Sequence, residues 1–351
     1  MLSKLYCEAS FFKEEINFNK KFSVIQKELV FNKVIDPKKR KLSFLQKEVK
    51  YTCSFVKSKS FNKEMPTIII PIRDNPDLLS YTIKNIDINN IKSRANIFVV
   101  DDRSKEDIKT IAESNDCSYL RVDNEKGFNF SMLNNIAAYI CEKLGNNTII
   151  LWNSDLWAVS LSYFDDLLRR HSRDESKLSG SKLVYPPLQK SLVKTEDTKN
   201  IKDFFPALLG GKWREKVQFG GERWITDPSG IIIYQPDHFK RFGDLSDPLV
   251  NCDRGSLFVT GALQVIDLKF FIGLGGMNPS LSKNYQDVDI CLRAYEAGHC
   301  PMYYGKDIYF YHDESLTFSN LPEEKVDSQL VSDMYLFGKL WNDKMGSFLN
   351  Y

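Results

Sequence analysis

Four short apolar runs, separated by helical patterns, constrain this chain more than anything else in it. Residues Thr67–Ile72, 97–102, 118–122 and Thr148–Trp152 are strand-length and rich in β-branched side chains. Between them, residues 77–86 carry Leu78, Leu79 and Ile83 on one stripe, and residues 130–144 carry Leu133, Ala137, Ile140 and Leu144 likewise. Asn75-Pro76 turns the chain into the first helix, and Ser104 is the expected N-cap of a helix running to Glu113. Strands spaced by helices form βαβ units, so the expected fold class is α/β with a Rossmann-like, mostly parallel sheet flanked by helices.

The second half is less regular. It reads as a helix over 160–170, a strand near 182–184, and a strand over 256–266 interrupted at Gly261. A helix over 267–272 follows, then one over 286–297 that stops at Gly298, a C′ position. Met302–Tyr304 and 308–311 are short final strands, and 322–341 is an amphipathic closing helix. Residues 185–255 hold Pro186-Pro187, Gly210-Gly211 and Gly220-Gly221, which suggests loops and short strands roofing a site. There is no internal repeat. The expected domains are a basic, aromatic N-terminal extension (1–63), a main domain (64–318, with halves 64–157 and 158–318) and a helical tail (319–351).

Composition matters for what it excludes. The chain has 351 residues, 42% hydrophobic and 27% charged, with a net charge of +2, so nothing argues for a nucleic-acid partner. The seven cysteines are odd in number and form no CxxC pair, which points to no disulfide framework or zinc site and to a reducing, cytoplasmic setting. No apolar run reaches the ~18 residues of a membrane span, and no leader is evident. The basic charge is concentrated in the first 63 residues, as in Lys38-Lys39-Arg40-Lys41, beside Phe11, Phe12, Phe22, Phe31, Phe44 and Phe55. Such a segment is too aromatic to be a free tail. It is expected to pack on the main domain or a partner, or to touch the inner face of a membrane as a peripheral contact. The oligomeric state is not legible.

Candidate chemistry sits where strands end. In an open α/β sheet, ligands bind beyond the carboxyl ends of the strands. Asp101-Asp102 ends one strand, where a carboxylate can accept from a base imide or a ribose hydroxyl; a solvated strand end is the plainer reading. Asn153-Ser154-Asp155 ends another, where a carboxylate could ligate a hard cation, or simply close an Asx turn. Asp287 and Asp289 begin a helix, whose dipole alone would favour acids there, though an acid at a cleft edge could also accept a proton. His312 follows a strand and could be a metal ligand or a structural histidine.

Taken in order, these segments resemble the inverting family 2 glycosyltransferases of GT-A fold, particularly bacterial rhamnosyltransferase-like members that build surface polysaccharides. The resemblance covers about 67–318. It rests on Ile70-Pro-Ile-Arg-Asp-Asn75, Val99-Val-Asp-Asp-Arg-Ser104, Asn124-Glu-Lys-Gly-Phe-Asn-Phe-Ser-Met-Leu-Asn134, Leu151-Trp-Asn-Ser-Asp155, Val259-Thr-Gly-Ala262, Gly275-Gly276, the segment from Tyr285 to Arg293, and His312-Asp-Glu-Ser315.

The resemblance implies that Pro71, Arg73, Asp101 and Asp102 line the base and ribose, and that Lys126, Gly127 and Asn134 border the nucleotide. Asp155 matches the last acid of the DxD motif, with Asn153 in place of the first. Asp155 and His312 would hold a divalent metal, Mg²⁺ or Mn²⁺. Thr260, Gly261 and Ala262 match the loop beside donor sugar and acceptor, and Asp287 matches the catalytic base, preceded by Gln286 where Glu is usual. The implied activity is inverting hexosyl or deoxyhexosyl transfer from a UDP-, dTDP- or GDP-linked sugar to a glycan or lipid-linked glycan. A non-catalytic sugar- or partner-binding module is one alternative. A nucleotidyltransferase is another, although the first strand lacks the Gly-rich phosphate loop that chemistry favours.

Overall fold

The structure, a computed structural model, describes residues 21–33, 43–124, 127–187, 214–226, 230–313 and 323–349. In chain order it begins with β1 (Phe22–Lys33), β2 (Ser43–Val56), β3 (Thr67–Ile72), α1 (Pro76–Ile88), β4 (Asn96–Asp101), α2 (Ile108–Ser114), β5 (Ser118–Asp123), α3 (Phe130–Lys143) and β6 (Thr148–Trp152). It continues through β7 (Leu156–Trp157), α4 (Leu161–Arg173), β8 (Leu178–Ser181), β9 (Leu183–Val184), β10 (Val217–Phe219), β11 (Glu222–Thr226), β12 (Tyr234–His238) and β13 (Asp253–Gly255). It ends with β14 (Leu263–Asp267), α5 (Leu268–Gly273), α6 (Gln286–Glu296), β15 (Met302–Tyr304), β16 (Phe310–His312) and α7 (Glu323–Leu349).

A ten-stranded sheet in the order β1-β2-β5-β4-β3-β6-β14-β8-β15-β13 forms the centre. The block β5-β4-β3-β6 is parallel throughout. Only β2, β14 and β13 run against the common direction, because each pairs antiparallel with its neighbours. The parallel strands are buried over most of their length, Ile68, Ile69, Ile70, Val99, Val100, Ile149, Ile150 and Leu151 all being fully enclosed. A strand covered on both faces needs an unbroken apolar run, which is why these four were legible.

Register places the site. Ile72 pairs with Asp101 and Ile69 with Leu151, so Arg73, Asp102 and Asn153 leave the sheet at one edge. Strand β14 is antiparallel to β6, with Leu263 opposite Trp152, so the 260–262 turn that precedes it reaches the same edge. A second, four-stranded sheet, β10-β9-β16-β7, pairs His312 with Leu156. That pairing brings His312 from far along the chain to the loop carrying Asp155. Trp152 packs edge-on to Phe310 at a centroid distance of 5.8 Å, joining the two sheets in one core.

Two local expectations are corrected and a third is refined. Helix α2 is capped by Asp107, whose carboxylate accepts from Thr110 N; Ser104 Oγ instead accepts from Asp74 N at 2.9 Å. Within 256–266 only Leu263–Asp267 is a strand. The apolar stretch before it is a buried loop that satisfies itself through Ser256 Oγ to Phe258 O, Gln264 Nε2 to Val259 O and Leu263 N to Thr260 O; a short apolar run cannot by itself distinguish strand from buried loop. The N-terminal segment is the third. Its hairpin β1–β2 adds to the edge of β5, from Thr52 opposite Asp123 to Val56 opposite Tyr119, with Tyr51, Cys53 and Phe55 buried. It therefore packs on the main domain, as expected, but as part of its sheet. The Lys38–Lys41 cluster and residues 188–213 lie outside the described residues.

Candidate active site

The two acids that end β4 part company. Asp101 is held by its own fold: Oδ1 accepts from Ser104 N at 2.8 Å, and Oδ2 accepts from Tyr119 OH at 2.6 Å and Arg121 Nη1 at 3.1 Å. Asp102 is equally buried, but only Oδ2 is engaged in an ion pair, with Arg73 Nη1 at 3.2 Å. Its Oδ1 accepts no hydrogen bond. Burial pushes this carboxyl up to about 7, aided by the Asp101 charge and opposed by Arg73 and Asn124. The edge thus presents one carboxylate oxygen with capacity to spare, beside a half-exposed guanidinium. Pro71, opposite Val100, is buried in the strand just before them.

Helix α3 forms the adjoining wall. Asn129 caps it by accepting from Met132 N. Asn134 is buried one turn in, its Nδ2 donating to Phe130 O and its Oδ1 without a partner. Gly127 has φ +107°, and a Cβ there would meet nothing within 4 Å, so its left-handed backbone, not crowding, calls for glycine. Lys126 lies outside the described residues.

Beyond β6, Asp155 Oδ1 is buried, accepts no hydrogen bond and lies 3.3 Å from His312 Nε2. Asn153 Nδ2 lies 3.4 Å from the same nitrogen. Asp313, whose N donates to Asp155 O at 3.0 Å, is also buried. Its carboxyl is pushed up to about 7 by burial and by the Asp155 charge, against the pull of His312. Among the described residues, no group of three or more His, Cys, Asp or Glu side chains converges as a metal site. The Asp155–His312 pair still suits two neighbouring vertices of one ion, since bonds of about 2.1 Å at right angles put ligand atoms about 3 Å apart.

Beyond the 260–262 turn, Asp287 sits in the first turn of α6, after Tyr285 in a left-handed conformation (φ +64°). Its Oδ2 accepts from Gly261 N at 2.7 Å and its Oδ1 from Val288 N at 2.9 Å. Burial raises this carboxyl, while the Gly261 and Val288 amides and the charge of His238 oppose the rise. Asp289 is held by a charge instead: Arg293 Nε and Nη2 hold Oδ2 at 2.9 and 2.8 Å, and Trp341 Nε1 donates to Oδ1 at 3.0 Å. Gln286, where the family pattern has Glu, is buried with Oε1 unpartnered.

The 260–262 turn joins these halves. Asn153 N donates to Ala262 O at 3.0 Å, while the neighbouring Gly261 N donates to Asp287. A Cβ at Gly261 would lie 2.9 Å from Asp287 Cβ, so only glycine lets helix and turn approach so closely. Thr260 is buried, and its Oγ1 accepts from Ala262 N. The structure therefore gathers Arg73, Asp102, Asn153, Asp155, Thr260, Gly261, Ala262, Asp287 and His312 around one sheet edge and the turn above it. Sequence reasoning left Asp313, His238 and the α7 residue Trp341 without a role; only pairing in three dimensions brings them to the site.

The fold is α/β of GT-A type. No family model matches the chain. An uncharacterised protein, y4gI, of Sinorhizobium fredii (strain NBRC 101917 / NGR234) is 24% identical over 269 residues, 74% of this chain and 26% of that protein. The crystal structure of GalNAc-T7 with UDP, GalNAc and Mn²⁺ superposes with a TM-score of 0.50 at 14% identity, over 72% of this chain and 44% of that one. A mannosyltransferase, PcManGT, from Pyrobaculum calidifontis and S. aureus TarS each give 0.43 at 11% identity, over 74% and 77% of this chain and 59% and 70% of theirs. The chain thus spans about a quarter of y4gI and under half of GalNAc-T7.

Proposed function

We propose that the chain is a metal-dependent, inverting glycosyltransferase that moves a sugar from a nucleotide sugar to a glycan or lipid-linked glycan acceptor. The observation that carries this reading is the 260–262 turn. Two neighbouring residues of that turn tie the strand end bearing Asn153 and Asp155, through Ala262 O, to the helix bearing Asp287, through Gly261 N, so a leaving-group side and a proton-accepting side meet at one turn.

Asp102 Oδ1 would accept from the nucleotide's base imide or ribose hydroxyl, with Arg73 at its side and Gly127 and Asn134 along the same wall. The donor's anionic diphosphate belongs at the other end, by Asp155 and His312. Those two would hold a divalent cation, Mn²⁺ as in GalNAc-T7 or Mg²⁺, and the diphosphate's oxygens would fill the coordination that two protein ligands leave open. Such a cation supplies Lewis-acid stabilisation of the departing diphosphate.

Asp287 acts as general base. Burial raises its affinity for a proton, in the direction that suits accepting one from an acceptor hydroxyl. That oxygen forms a bond to the anomeric carbon as the bond to the diphosphate oxygen breaks on the opposite face. The pair of electrons leaves with the nucleoside diphosphate, and the anomeric centre inverts. Asp289 is ion-paired with Arg293 and bonded to Trp341, whereas Asp287 is held by backbone amides alone.

Two substitutions test the reading by calorimetry and by turnover of a panel of UDP-, dTDP- and GDP-sugars. Asp155→Ala should abolish Mn²⁺-dependent binding of nucleoside diphosphate. Asp287→Asn should retain that binding while turnover falls by about 10² or more. Unchanged Mn²⁺-dependent affinity in the first, or near-wild-type transfer in the second, refutes the assignment concerned.

A further inference from the structure

We propose that the C-terminal helix α7 is a positioning element for the base, and that Asp333 is its key residue. The inference rests on the role assigned to Asp287 above. Three residues four apart on α7 engage the segment around Asp287 without touching Asp287 itself. Asp333, fully buried, accepts with Oδ2 from the backbone N–H groups of Lys283 at 2.9 Å and Asn284 at 3.0 Å. Phe337 stacks on Tyr285, with centroids 4.8 Å apart and planes 23° apart. Trp341 Nε1 donates to Asp289 Oδ1 at 3.0 Å. The contacts climb both helices together, ending with Lys344 on Glu296 at 2.6 Å.

The physical need is visible at Tyr285. This residue has φ +64°, a conformation that costs a bulky side chain of order 1 kcal/mol or more unless its surroundings impose it. It also leaves α6 without a side-chain N-cap. The Asp333 carboxylate takes the two amides just ahead of that kink, and the Phe337 ring holds the kinked side chain from behind. Since Asp287 is only two residues further on, the kink sets where its carboxylate meets Gly261. Helix α7 is itself pinned on its other side, where Asn342 bonds Ile233 N and Ile231 O, so it can serve as a fixed support.

The Gly261 amide is a reporter, because its hydrogen bond is to Asp287 Oδ2. Amide hydrogen exchange would be measured on the full chain, with Asp287→Ala defining the unprotected rate at Gly261. Asp333→Ala should raise exchange at Gly261 by about tenfold or more while amides of β3, β4 and β6 keep their wild-type rates. Asp333→Asn, which keeps an acceptor oxygen, should restore most of the protection. Trp341→Phe, which removes the indole N–H and leaves a smaller aromatic ring, should give a smaller rise and serves if Asp333→Ala does not fold. Wild-type protection at Gly261 in Asp333→Ala, or in Trp341→Phe where that variant stands in, would overturn the proposal. So would a uniform rise across the sheet. Failure of Asp287 as the base would show separately, as undiminished turnover in Asp287→Asn.

Discussion

At the scale of single residues, the site is a set of acids distinguished by what already holds them. Asp101 and Asp289 have both oxygens engaged, each with an arginine among the partners; Asp287 has both engaged by backbone amides alone; Asp102 and Asp155 each keep one oxygen without a hydrogen-bond partner. That difference has a consequence in pH. The Asp102 carboxyl rises from an ordinary 3.8 to about 7. Between those values the folded protein keeps a proton that the unfolded chain has released, so stability falls as pH rises through the window and levels off above it. Asp313 adds a second contribution of the same sign. Asp102→Asn should therefore flatten part of the decline in urea midpoint between pH 4 and 7, and a slope as steep as wild type would contradict the assigned shift. Gly261→Ala tests the turn. Its methyl would displace the Asp287 carboxylate, and a misplacement of the order of 1 Å costs about 10²-fold in rate; single-turnover assays should show that loss with nucleotide affinity intact.

At the scale of elements, helix propensity and packing pull in opposite directions on α7. Gly338 lies inside this 27-residue helix, where alanine would normally add about 1 kcal/mol. A Cβ there, however, would sit 2.5 Å from the backbone oxygen of Ile231, which cannot swing aside as a side chain could. Overpacking of this kind costs about 1–3 kcal/mol, so Gly338→Ala should lower stability despite its better propensity. Thermal unfolding will decide, and a raised midpoint would mean that the helix does not approach this segment so closely. The glycine was visible in the sequence; the carbonyl that requires it was not.

At the scale of the whole molecule, the N-terminal hairpin changes how membrane contact can be tested. Starting the chain near Glu64 would remove β1 and β2 and bare the edge of β5, an exposed ladder prone to association. Vesicle binding is better probed by changing Lys38, Lys39, Arg40 and Lys41 together to Gln. If this cluster docks on an anionic bilayer at about 1 kcal/mol per charge, co-sedimentation with anionic vesicles should fall steeply and wild-type binding should weaken with salt. Equal, salt-insensitive pelleting of both proteins would remove the membrane role. Among the described residues no helix is long and apolar enough to cross a membrane.

What the sequence determined by itself was the parallel block and the acids at its ends. Strands such as Ile68–Ile70 and Ile149–Leu151 are buried on both faces, which forces an unbroken apolar run, and the run's end marks where Asp102 and Asp155 must emerge. Only the tertiary structure decided which of those acids keeps capacity for a ligand, because that depends on donors from distant segments: Tyr119 and Arg121 on Asp101, Arg293 and Trp341 on Asp289. It likewise decided that His312 meets Asp155 across 157 positions of chain and that α7 stands behind the base. Periodicity records which face of an element is buried; it carries no record of which remote partner buries it.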